Sequence, residues 1–231
     1  MAVSIGPKQA LFAEFAAVAR ALGSPRRLEL LEHLAQGERP VEALAERAGL
    51  SVANASQHLQ QLKRAGLIAA RREGKFIRYR LADDRVPALL RVLFDLGERN
   101  LAAVDRILRG YFAERDALDP VTREELLART RDGRVTVLDV RPADEFAAGH
   151  LPGAVSLPLA ELEDRMAELD PGQEIVAYCR GPYCVLAFEA VARLRAGGFR
   201  ARRLEDGFPE WKAAGLPLEP GAAAAARSAG R

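Results

Sequence analysis

Apolar positions along the chain follow two different rhythms. Up to about residue 110 they recur at helical spacing. Leu11, Phe12, Phe15, Val18, Ala19 and Leu22 predict a helix over residues 10–22. Ser24-Pro25 then offers an N-cap and a proline at the first helical position, and Leu28, Leu31 and Ala35 continue one face beside Leu30 and Leu34 until Gly37. Pro40 starts a third helix with Val41, Leu44, Ala45 and Ala48, which Gly49 stops. After the turn Gly49-Leu50-Ser51, Ser51 caps a fourth, with Ala55, Leu59 and Leu62 as its core stripe. The period then drops to two. Leu67-Ile68 opens a strand, Glu73-Gly74 marks a turn, and in the return strand Phe76, Arg78 and Arg80 alternate with Ile77, Tyr79 and Leu81. A last helix over residues 86–112 carries Leu89, Leu90, Leu93, Phe94, Leu96, Leu101, Val104, Ile107 and Leu108. That stripe is more apolar than one small domain needs; it fits a partner helix or packing within the domain.

From about residue 117 strands and helices alternate. A capping box at Thr122 and Glu125 precedes Leu126-Leu127. Residues 135–140 form a near-continuous apolar run, as in a buried parallel strand. A short helix over 144–148, a strand over 154–157, a helix over 160–169, a strand over 174–178, a helix over 184–196 and a strand over 199–204 follow. This alternation predicts an open α/β sheet, whose sites lie at the carboxyl ends of strands.

The 231 residues are 49% apolar and 29% charged, the composition of a soluble globular protein with two domains. We expect one over residues 8–113, a second over 117–218, and a low-complexity, disordered tail over 219–231. The longest stretch without charge, Phe146–Ala160, is broken by Gly and Pro, so no transmembrane helix is expected. No apolar leader stands at the N-terminus, and two cysteines cannot form a disulfide scaffold. A reducing, cytoplasmic setting is therefore expected.

Charge separates the halves. Residues 1–116 hold 19 Lys and Arg against 14 Asp and Glu, while the remainder holds 15 against 18. Lys63, Arg64, Arg71, Arg72, Lys75, Arg78 and Arg80 face a single acid, Glu73, between positions 63 and 80. Such a cluster attracts polyanions, although a solvated face would have the same composition. The fourth helix has no acid from Ser51 to Ala65 and displays Ser51, Asn54, Ser56, Gln57, His58, Gln60 and Gln61. Amide and hydroxyl groups of this kind hydrogen-bond base edges and phosphates. Two short helices joined by a Gly-containing turn form a helix-turn-helix, and a basic hairpin after it reads as a wing. Ser51, Asn54, Ser56, Gln57, His58, Gln60, Gln61, Lys63, Arg64, Arg71, Arg72, Lys75 and Arg78 are the candidate DNA contacts.

The runs ALGSPRRLELLEHL and VEALAERAGLSVANASQHLQQLKRAGLIAARREGKFIRYRL resemble the winged-helix repressors of the ArsR/SmtB family, over roughly residues 10–110. The resemblance implies a homodimer packed through its first and last helices, and double-stranded DNA with an inverted repeat as partner. Departures matter too. Metal-sensing members use cysteines in the helix before the recognition helix, or His and acids in the last helix. Here residues 41–48 contain neither Cys nor His, and the last helix has no His. No metal site and no cofactor are expected. His33 and His58 read as surface or DNA-face residues.

Cys179 stands directly after the strand EIVAY, and the loop Cys179-Arg180-Gly181-Pro182-Tyr183-Cys184 leads into a helix. Backbone N–H groups in such a turn, and the positive end of the helix, stabilise a thiolate. Arg180 adds a cation for an anionic substrate or leaving group. A buried structural cysteine is the alternative. The segments LDVRPADEFAAGHLPGAVSLPL, IVAYCRGPYC and LEDGFPEWKAAGLP, in this order, resemble a rhodanese domain over roughly residues 117–218. The resemblance implies that Cys179 accepts a sulfane sulfur as a persulfide and hands it to a thiophilic acceptor. Asp139, Arg141 and Glu145 match the family's DxRxxxE element and are expected to brace the loop. Gly207, Phe208 and Trp211 are expected in core and loop packing. Val185 stands where phosphatase-like relatives carry arginine, which disfavours a phosphate or arsenate substrate. Cys184 replaces a polar or basic residue common in sulfurtransferases and could attack a modified Cys179.

Together the resemblances imply a DNA-binding regulator, expected to be a repressor, whose operator affinity responds to the sulfur or redox state of Cys179. Its partners would be DNA, a second copy, and a small sulfur donor or thiol acceptor, with coupling through the last helix and residues 114–120. The alternatives are a sulfurtransferase whose DNA-binding half works independently, and a degenerate domain that serves only as an interaction module.

Overall fold

The structure is a computed structural model that describes residues 6–112 and 120–220. The expected coupling segment, residues 114–120, lies outside the described residues except for Pro120, and the expected tail lies outside them except for Glu219 and Pro220. The chain forms two compact units, Met1–Leu90 and Arg91–Arg231, and the boundary falls inside a helix. Among the described residues no helix is long and apolar enough to cross a membrane.

The first unit contains α1 (Pro7–Leu22), α2 (Pro25–Ala35), β1 (Arg39–Pro40), α3 (Val41–Arg47), α4 (Val52–Arg64), β2 (Ile68–Glu73) and β3 (Phe76–Leu81), and then enters α5 (Val86–Asn100). Ser51 Oγ accepts from the Asn54 N–H at 3.2 Å, so the predicted cap opens α4. Gly49 adopts φ +60° in the α3–α4 turn, a conformation open to glycine at little cost. Ala55, Leu59 and Leu62 of α4 are fully buried beside Leu30, Leu31 and Leu44. β2 and β3 pair in antiparallel register from Ile68↔Leu81 to Glu73↔Phe76, with Gly74 at the turn. One strand was not expected. Arg39↔Tyr79 and Pro40↔Arg78 pair β1 to the free edge of β3, giving the order β1-β3-β2. Pro40 therefore ends an edge strand, where its missing N–H is tolerated, and caps α3.

The predicted last helix is interrupted. α5 ends at Asn100, Leu101 is extended at φ −112°, α6 covers Ala102–Ile107, and residues 108–112 are π-helical. The Asn100 amide donates to the Leu96 carbonyl at 2.9 Å, a side-chain bond that competes with the helical ladder.

In the second unit follow α7 (Arg123–Arg131), β4 (Val135–Asp139), α8 (Ala143–Ala148), β5 (Val155–Ser156), α9 (Leu162–Arg165), β6 (Glu174–Tyr178), α10 (Val185–Ala196), β7 (Ala201–Arg203) and α11 (Phe208–Ala213). The helix expected over 160–169 is instead α9 flanked by 3-10 turns, Leu159–Glu161 and Met166–Glu168. Leu159 and Leu162, then Met166 and Leu169, are three residues apart, the repeat of a 3-10 turn, and all four pack on one core. The four strands are parallel in the order β5-β4-β6-β7. Leu138, Ile175 and Ala177 point into that core, and Val137, Val176 and Tyr178 into the core on the opposite face. Strand order reverses between β4 and β6, so the crevice beyond their carboxyl ends is the natural binding point. Cys179 follows β6 there, and Asp139 ends β4.

Candidate active-site loop and DNA-binding surface

The loop after β6 is closed on itself. Cys179 and Cys184 are joined as a disulfide, with their Cα atoms 6.2 Å apart and both residues buried. Their sulfurs can thus meet, as attack of one on the other requires. The Cys184 N–H bonds the Gly181 carbonyl at 3.1 Å, and Cys184 is the N-cap of α10.

Behind the loop stands a stack of buried charges. Arg141 donates to Asp139 at 2.6 and 3.0 Å and to the Gly149 carbonyl at 2.8 Å, and neither side chain reaches solvent. The Tyr178 hydroxyl donates to Asp139 and accepts from the Leu151 N–H at 3.2 Å. Burial, together with the Asp139 charge, pushes the Tyr178 phenol well above its ordinary pKa, so it stays a donor. Burial opposes the charge on Arg141, but the Asp139 bond and charge outweigh it and raise the guanidinium. Arg141 also lies 4.3 Å from the Phe208 ring centre.

Arg180 does not stand free for a substrate. Its guanidinium donates to both oxygens of the buried Glu145 at 2.9–3.2 Å. Glu145 thus braces the loop through Arg180, while Asp139 and Arg141 brace the strand ends. The other wall is α11. The Phe208 N–H bonds the Cys179 carbonyl at 3.0 Å, and a Cβ on Gly207 would lie 2.3 Å from the Gly181 nitrogen. Phe208 and Trp211 are buried. Tyr183 turns outward from the loop. Its ring meets Phe94 edge-on at 5.7 Å, and its hydroxyl donates to Glu98. All three residues lie in the second unit. The parts played by Tyr178, Phe94 and Glu98 left no local signal in the sequence, because each depends on partners 39 to 89 positions away.

In the first unit, Asn54, Gln57, Gln60, Gln61, Lys63 and Arg64 are exposed on α4, and Ser56 and His58 half-buried. The Ser51 oxygen serves as cap. On the wing, Arg71 pairs with Glu38 at 2.6 Å, and Arg78 with Glu73. Arg72 donates to the Gly74 carbonyl at 3.1 Å, and the Lys75 ammonium lies 5.3 Å from the Phe76 ring centre. His33 departs from its expected surface position. It is buried in α2, because its place beside Leu30 and Leu34 puts it on the core-facing stripe.

A helix-turn-helix family model matches residues 22–71, and a rhodanese-like domain model matches residues 122–214. The chain is 46% identical to the HTH-type transcriptional regulator Rv0324 of Mycobacterium tuberculosis, over 93% of this chain and 94% of that one. It is 42% identical to a probable mercury resistance operon repressor of Streptomyces lividans, over 37% of this chain and 69% of that one. A sulfurtransferase of Allochromatium vinosum is 32% identical over 44% of this chain and 92% of its own.

Proposed function

The chain belongs to the HTH-type transcriptional regulators that join an ArsR-type winged helix to a C-terminal rhodanese-like domain, and from that membership we propose that it is a homodimeric repressor whose operator affinity follows the sulfur state of Cys179. The observation that carries this reading is the meeting of Cys179 and Cys184 at the carboxyl end of β6. In the reduced protein the Cys179 thiolate attacks the outer sulfur of a persulfide donor RSSH. A Cys179 S–S bond forms, the donor's S–S bond breaks, and RS⁻ leaves. The Cys184 thiolate then attacks Cys179 Sγ, the intramolecular disulfide forms, and HS⁻ leaves. The sulfane sulfur is reduced to sulfide and the two cysteines are oxidised, so the electrons balance without a further oxidant.

We assign DNA binding and dimerisation to residues 8–113 and sulfur chemistry to residues 117–218. Leu11, Phe12 and Phe15 on α1, with Leu89, Val92, Leu93 and Leu96 on α5, are exposed, which supports a second copy as their cover. Two recognition helices related by a two-fold would read half-sites about 34 Å apart. Likeness to a sulfurtransferase over nearly all of that protein supports a second reading, in which Cys179 passes its sulfur to a thiol and DNA binding is independent.

The test is operator affinity, by fluorescence anisotropy on the DNA upstream of the gene, at one fixed salt concentration. Reduced protein is compared with protein treated with a sulfane-sulfur donor, and with Cys179→Ser. Loss of affinity in the wild type alone, reversed by reductant, is the expected result. Affinity indifferent to treatment would remove the regulatory reading, and turnover with a thiol acceptor would then support the enzyme.

A further inference from the structure

α5 carries two opposed faces. At about 100° per residue, Arg91, Phe94 and Glu98 fall within one sector of the helix, and Leu89, Val92, Leu93 and Leu96 fall nearly opposite. The second set is the exposed apolar stripe. The first set engages the sulfur site at two points, all within the second unit. Phe94 and Glu98 hold the ring and hydroxyl of Tyr183, one residue before Cys184. Arg91 lies 4.0 Å from Asp206, which also takes Arg123 at 2.8 Å and directly precedes Gly207, the residue on which a Cβ would collide with Gly181. Burial and the Glu98 hydrogen bond raise the Tyr183 phenol, so its hydroxyl remains a donor.

We propose that Tyr183 is a positioning residue that couples the sulfur state of the Cys179–Cys184 loop to α5, through its grip on Phe94 and Glu98. The inference rests on the reading of Cys179 as a sulfur acceptor. Cys179 is buried, so an added sulfur, or the opening and closing of the disulfide, must be accommodated by movement of the loop. The inner arm cannot yield toward α11, because the gap between Gly207 and the backbone of Arg180 and Gly181 is too narrow even for a Cβ. Arg180 is anchored to buried Glu145. The outer arm, Pro182 to Cys184, is left to move, and Tyr183 transmits that movement to the α5 face opposite the apolar stripe.

The experiment uses the full-length protein and the variants Glu98→Ala, Phe94→Ala and Glu98→Gln, none of which touches the sulfurs. The probes are a low-molecular-weight persulfide donor and the promoter DNA. Mass spectrometry follows persulfide and disulfide formation at Cys179, and hydrogen exchange follows residues 91–100. In the wild type, treatment is expected to weaken operator binding by about tenfold, within the usual range of coupling. Glu98→Ala and Phe94→Ala should form the disulfide at the wild-type rate yet change affinity by less than about threefold. Glu98→Gln retains an acceptor oxygen and should restore most of the response. The treatment-dependent change in exchange at residues 94–98 should vanish in the alanine variants and persist in Glu98→Gln. If the wild type responds and both alanine variants respond equally, the coupling role is overturned while the regulatory reading stands. If the wild type itself does not respond, both fall.

Discussion

Gly207→Ala isolates the contact that walls in the sulfur loop. Gly207 has φ −113° and ψ −171°, a conformation alanine adopts freely, so backbone strain plays no part. The new methyl group would lie 2.3 Å from the Gly181 nitrogen and 2.5 Å from the Arg180 carbonyl carbon and the Gly181 Cα. All three are backbone atoms, so no flexible side chain can swing aside. Relief requires the loop and the start of α11 to separate by about an ångström, against the Phe208 N–H bond to the Cys179 carbonyl and the buried Arg180–Glu145 pair. Overpacking of this kind costs about 1–3 kcal/mol. Exchanging glycine for alanine at the N-cap adds about 0.5–1 kcal/mol, because alanine is the poorer cap. For a chain of this size the sum corresponds to a fall in Tm of about 3–16 °C. The assay is urea unfolding followed by Trp211 fluorescence, which reports the core against which α11 packs. Reaction of the reduced cysteines with a mild alkylating agent should speed up in parallel, because the wall has moved. A variant within about 0.3 kcal/mol of wild type, with unchanged alkylation, would refute the close approach of Gly207 as the constraint on the loop.

Two other perturbations probe separate parts of the molecule. Among the described residues Lys63 and Arg64 are exposed at the end of α4 and enter no ion pair, whereas Arg71 and Arg78 are already paired. Replacing both Lys63 and Arg64 with alanine removes two cations from each protomer and should lower the slope of log affinity against log salt by about four for the bound dimer, and an unchanged slope would remove them from the interface. Glu210, whose pKa is raised chiefly by burial, accepts the Gly207 N–H at 3.0 Å. A raised carboxyl pKa means that the folded state binds the proton more tightly, so this group's contribution to stability falls as pH rises from the unfolded pKa through the folded one. Glu210→Gln keeps the acceptor, and its urea midpoint should therefore gain on the wild type between about pH 4 and pH 7; a gain on acidification would contradict the assignment.

The elements that follow from near neighbours could be read along the chain. Ser51 caps its own helix, Gly49 and Gly74 occupy turns that need positive φ, and the apolar strand EIVAY delivers Cys179 to a helix start. These features depend on backbone conformation and hydrophobic period over a few residues, which is information a sequence carries locally. The capping box at Thr122 was only half legible. The Glu125 N–H bonds Thr122 as expected, but the Glu125 carboxylate turns to Arg129 and Arg202. Distant pairing needed the fold. β1 exists because β3 had a free edge, and His150 pairs with Glu219, which composition alone groups with a low-complexity tail. Arg180 illustrates the same limit. Its position in the loop suggests a cation offered to a substrate, yet the packing of α8 places Glu145 against it. Which partner a charge takes depends on the three-dimensional neighbours that desolvate it, and those come from segments dozens of residues away. The grip of Phe94 and Glu98 on Tyr183 is of this kind. Spacing along α5 shows that these residues share a face, but only folding brings that face to the cysteine loop.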